Sequence, residues 1–80
     1  MDIKTPKDLK EATDLAINGN IEILYDIAKY IAYNYYMYMH IKKGSIEDIE
    51  NEVIYKAFQK DNPHLYKEVE QLIDTIYEKI

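Results

Sequence analysis

Few side chains in this sequence have the chemistry for catalysis or metal binding. The two histidines, His40 and His64, belong to no recognised metal-ligating motif. Carboxylate pairs such as Glu22/Asp26 or Glu70/Asp74 stand four residues apart, a spacing that could hold a divalent ion weakly. A di-metal bundle needs Glu-x-x-His pairs on two helices, and the sequence has none. There is no Cys to act as nucleophile or thiolate ligand, and the single serine, Ser45, reads as a helix cap. The two glycines, Gly19 and Gly44, fall at helix stops rather than in a phosphate-cradling loop. These observations predict a non-enzyme without a metal or other cofactor.

The side chains best suited to binding are aromatic. Six of the nine tyrosines fall between residues 25 and 38. A tyrosine joins a large apolar body to a polar tip, which suits it to protein interfaces. Tyr33, Tyr36, Met37 and His40 form one candidate contact patch. A second candidate is acidic. Glu70, Asp74 and Glu78 recur at four-residue spacing, which places them on one helical face.

The elements that carry these residues are read from caps and breakers. Thr5-Pro6-Lys7-Asp8 is a helix start, with Thr5 as N-cap and Pro6 in the first helical position. Asn18-Gly19 is a left-handed stop. Asn20 can cap a second helix, which Gly44 ends after Lys42 and Lys43. Ser45 caps a third, with Glu47 and Asp48 in its first turn. Asp61 or Asn62 caps a fourth, with Pro63 opening it. The predicted helices span about 6–18, 21–42, 46–60 and 63–79. No segment alternates like a strand, and the thirteen isoleucines fall at helical spacing.

Each helix has a predicted inner face. The first offers Leu9, Ala12 and Ala16, with Leu15 beside them. The third offers Ile46, Ile49, Val53 and Ala57, widened by Ile54 and Phe58. The fourth offers Leu65, Val69, Leu72, Ile76 and Ile80, widened by Ile73. The second differs, since 16 of its 22 residues are apolar or Tyr. Its polar line is Glu22, Asp26, Lys29, Tyr33, Tyr36, His40 and Lys43. A helix apolar on most sides is surrounded on most sides. At about 1.5 Å per residue it is roughly 33 Å long, longer than its neighbours. The expected fold is all-α: a compact four-helix bundle with short connections, one domain over residues 1–80, and the long apolar second helix at its centre.

Composition narrows the partners. The net charge is −5 with ten lysines and no arginine. Phosphate binding needs clustered basic residues, so direct nucleic-acid binding is not expected. A helix-turn-helix reading of the last two helices fails for the same reason, because the would-be recognition helix carries Asp61, His64, Glu68 and Glu70. A DNA mimic would need denser and more regular carboxylates. Residues 23–41 are apolar enough to be weighed as a membrane span, but Asp26, Lys29, Asn34 and His40 are costly in hydrocarbon. No apolar signal core follows Met1, so a cytoplasmic protein without membrane association is expected. The abundance of Ile, Lys, Glu and Tyr suggests an AT-rich genome, and Lys and Glu enrichment is compatible with a thermophile.

The functional expectation is a small non-catalytic protein–protein interaction module. It would be an accessory or regulatory subunit docking on a larger, basic machine, such as a polymerase-type nucleic-acid enzyme. The alternatives are a homodimeric bundle that buries its tyrosine face, or an inhibitor of a nucleic-acid enzyme from a virus or mobile element.

Overall fold

The computed structural model of the chain describes residues 1–35 and 46–79, and within them the fold is all-α. Four α-helices run Pro6–Ile17 (α1), Ile23–Tyr30 (α2), Ile46–Asp61 (α3) and Pro63–Lys79 (α4). A π-helical segment, Ile31–Tyr35, continues directly from α2. The radius of gyration is 11.8 Å, close to the roughly 11.6 Å of a compact 80-residue chain.

Local chemistry sets the first helix. The Asp8 backbone N–H donates to Thr5 Oγ1 at 3.2 Å, and the Thr5 N–H donates back to Asp8 Oδ2 at 3.2 Å. The Lys4 N–H adds a third bond to the same carboxylate at 3.0 Å. Two N–H groups of the chain leading into the helix are thereby satisfied by one side chain, and one of the helix's own orphan donors by Thr5. These donors, Lys4 first, hold the Asp8 carboxyl below its ordinary value. At the other end the Gly19 N–H bonds to Ala16 O and the Asn20 N–H to Leu15 O. That pair of bonds is a Schellman stop, and it needs the positive φ of Gly19, +109°.

The second helix departs from its expected bounds. Asn20 spends its N–H on the Schellman stop, and Ile21–Glu22 form a turn in which the Leu24 N–H reaches Ile21 O. The α-helix therefore begins at Ile23, and Ile21 is exposed. At Ile31 the helix widens to π geometry, and the Asn34 side-chain amide donates to the Tyr30 carbonyl at 2.9 Å. Residues 36–42 of the expected helix, and the Gly44 stop and Ser45 cap, lie outside the described residues.

The helices make a closed circuit. α1 packs on α2 and α3, while α4 packs on α2 and α3. Leu9, Leu24, Ile27 and Val69 are fully buried where these contacts converge. From α1 the core takes Leu9, Ala12, Thr13 and Ala16; Leu15 is exposed, contrary to its expected place beside them. From α2 it takes Ile23, Leu24, Ile27, Ala28 and Tyr30. α4 gives Val69 and Ile76, flanked by half-buried Leu65, Leu72 and Ile73.

The third helix reverses the sequence expectation for Ile46, Ile49, Val53 and Ala57 and keeps it for Ile54 and Phe58. Ile46, Ile49 and Val53 are 75%, 57% and 63% exposed, and Ala57 is exposed with them. The face turned inward is Asn51, Tyr55 and Phe58, with Ile54 half-buried. Both faces have the same helical spacing, so periodicity alone does not choose between them. Asn51 is admitted to the interior because the Tyr30 hydroxyl donates to its Oδ1 at 3.0 Å. That bond offsets the cost of burying both polar tips.

Candidate functional site

The acidic face of α4 meets a cleft that the sequence did not announce. Glu70 and Asp74 are exposed and stand at the rim of an open cleft of about 170 Å³. Its walls are Tyr55 from α3 and Tyr66 and Tyr77 from α4, with Ile31 and Ile73 contributing apolar surface. The rings of Tyr55 and Tyr66 lie 5.2 Å apart at 52°, a tilted packing that fixes both. The Tyr77 hydroxyl donates to the Ala32 carbonyl at 3.3 Å, which ties α4 to the π segment. Glu78 is exposed one turn beyond Asp74 but does not line the cleft.

Tyr33 sits elsewhere. It is 47% exposed and lines a second cleft of about 160 Å³, with Asp26, Lys29 and Tyr30 and the segment Met1–Ile3. Consecutive residues Tyr30 and Ile31 line different clefts, so Tyr33 and the Glu70/Asp74 pair lie at separate openings. Tyr36, Met37 and His40, the other members of the expected tyrosine patch, lie outside the described residues.

The candidate ligating groups are dispersed. Asp26, one half of the Glu22/Asp26 pair, accepts from the Met1 ammonium at 3.0 Å. His64 is exposed in the first turn of α4. Among the described residues no three His, Cys, Asp or Glu side chains gather to hold a metal ion. Nor, among them, is any helix long and apolar enough to cross a membrane. What the α4 cleft can do chemically is receive a cation. Aromatic faces attract an ammonium or guanidinium through their quadrupole, and two rim carboxylates add charge complementarity.

The sequence reading identified the carboxylates but not their aromatic setting. Tyr66 and Tyr77 are eleven residues apart, three helical turns, and so share a stripe of α4. Counting only aliphatic residues for the inner face hid that stripe. Tyr55 comes from another helix, and no spacing connects it to them. The exposed aliphatic face of α3 was missed for the opposite reason, because its residue types are those of a core.

Comparison with protein-family models, with characterised proteins and with solved structures returns no match to this chain.

Proposed function

We propose that the protein is a small, non-catalytic protein–protein interaction module that docks a basic partner on the acidic side of α4. The observation that carries this reading is the placement of Glu70 and Asp74 at the mouth of a cleft walled by three tyrosines. A lysine or arginine side chain entering there would meet both ring faces and carboxylates. Glu78 extends the acidic line by one turn and would steer a basic surface toward it. Tyr33, with Tyr36, Met37 and His40, is assigned a supporting contact on the same partner. In this reading the second helix is the long apolar centre of a four-helix bundle, and the chain serves as an accessory or regulatory subunit of a larger complex. A polymerase-type nucleic-acid enzyme fits as host, because such enzymes carry the basic surfaces that an acidic subunit complements.

The test is a tagged pull-down from the source cell, repeated with Glu70→Lys/Asp74→Lys. The wild-type chain should retain one stoichiometric basic protein that elutes with moderate salt. The variant should lose it while keeping its helical circular dichroism. Retention of the same partner by a folded variant would refute the α4 site.

A further inference from the structure

The exposed aliphatic face of α3 lies far from any use made of α4. Successive helical residues turn by about 100°, so Ile46, Ile49, Val53 and Ala57 fall within a sector of about 80°. That sector points away from Asn51, Tyr55 and Phe58, which face the core. The three large side chains alone expose on the order of 350 Å² of apolar surface, within the range of the largest patch on a typical monomer, which is often functional. An open groove of about 200 Å³ adjoins it, where Val53, Ile54 and Ala57 of α3 face Ile17 of α1. Ile17 is itself 48% exposed.

Charge along α3 says what covers this face. Glu47, Asp48, Glu50 and Glu52 give its N-terminal half a charge of −4, while Lys56 and Lys60 against Asp61 leave the C-terminal half at +1. A second α3 laid antiparallel sets the acidic half of each helix against the basic half of the other, and also opposes the helix dipoles. We propose that a second copy of this chain binds here, with the two α3 helices antiparallel about a two-fold axis near Val53.

The fit follows from the helical positions. Val53 meets its own counterpart at the axis. Ile49 of each copy lies over Ala57 of the other, beside the groove formed with Ile17 and Ile54. Ile46 lies along the aliphatic stem of the second copy's Lys60. Glu52 and Lys56 already pair within one helix at 2.8 Å. In the dimer they meet the same pair from the second copy, and the four charges alternate around the axis. The interface is isologous, as a two-fold contact must be. A stable dimer covers about 800 Å² on each partner, so this apolar centre needs its charged rim. The contact is independent of the α4 cleft.

Sedimentation of the full chain tests this. At concentrations above about 100 µM the mass should be twice 9.5 kDa. Ile49→Asp/Val53→Asp should be monomeric with its helical signal intact. Glu52→Lys and Lys56→Glu should each weaken the dimer roughly tenfold or more, while an equimolar mixture of the two variants should dimerise again. That mixture restores charge pairing only between chains, so it remains informative if the aspartate variant fails to fold. A short bismaleimide should link Val53→Cys chains to themselves and leave Ile46→Cys chains unlinked. Efficient linking through Cys at position 46 would mean parallel helices and overturn the proposal. So would a wild-type chain that stays monomeric at millimolar concentration, which would leave the α3 face to a different protein. Either result leaves the α4 reading untouched, since that is decided by the Glu70→Lys/Asp74→Lys pull-down.

Discussion

The Tyr30–Asn51 hydrogen bond joins α2 to the inner face of α3, and its removal can be worked out in advance. The two residues are 8% and 5% exposed, and their polar atoms lie 3.0 Å apart. Tyr30→Phe removes the donor and leaves Asn51 Oδ1 short of a partner in a place water does not reach. Asn51→Leu removes the acceptor instead. Stranding a buried polar group costs about 1–3 kcal/mol, more than the net 0.5–1.5 kcal/mol of an ordinary hydrogen bond. Tyr30→Phe should therefore destabilise by about 1–3 kcal/mol, a visible share of a stability on the order of 5–10 kcal/mol, and Asn51→Leu by about 0.5–1.5 kcal/mol for the lost bond. The double variant leaves neither group stranded. It should lose less than the sum of the singles, with a coupling of about 1 kcal/mol or more. Urea unfolding followed by circular dichroism, completed as a double-mutant cycle, measures this directly. Singles that simply add, within about 0.5 kcal/mol, would mean that the hydroxyl and the amide do not meet and that the inner face of α3 has been misassigned.

Other outcomes follow from the same structure. Phe58→Ala should cost about 3–5 kcal/mol, whereas Val53→Ser, measured in dilute monomer, should stay within about 0.5 kcal/mol; chemical denaturation of the two variants gives both values. Gly19→Ala should destabilise by about 1–2 kcal/mol, entirely through its +109° φ, because a Cβ there meets nothing within 4 Å; thermal melting reads the loss. Asp8, whose folded-state carboxyl titrates below its ordinary value of 3.8, should contribute stability that is fully present above that value. This contribution is lost as pH falls through the lower folded value. Acid titration of Asp8→Asn should accordingly be flatter than that of the wild type in this window, and equal slopes would contradict the capping geometry.

What could be read from the sequence follows a physical division. Chain-local chemistry was legible: Pro6 and Pro63 open helices, and Asn18-Gly19 closes one through bonds made within six residues. The all-α class was legible because no strand periodicity competes with the helical one. The face of α3 was not. Phe58 and Ile54 were expected inside and are, but Ile46/Ile49/Val53 and Asn51/Tyr55 repeat with comparable regularity, and Asn51 finds its partner on Tyr30, twenty-one residues away. The start of α2 lies two residues beyond the expected one, because Ile21–Glu22 form a turn in which the Leu24 N–H reaches Ile21 O. At the candidate site, Glu70 and Asp74 were legible as an acidic face. The tyrosine walls were not, since a cleft between α3 and α4 exists only once the two helices have been packed.

The π segment at Ile31–Tyr35 has a consequence for changes in chain length. Such a segment is an α-helix that has accepted one extra residue without breaking. Here the surplus is anchored, because Asn34 holds the Tyr30 carbonyl and the Tyr77 hydroxyl holds that of Ala32. Deleting one residue from this stretch would let the backbone close into ordinary α geometry. The two ends would then be turned against each other by about 100°. The segment is thus a site where an insertion or deletion within residues 31–35 changes the direction in which the backbone leaves α2. A single-codon change could redirect what this part of the chain presents while leaving Ile23, Leu24 and Ile27 in the core.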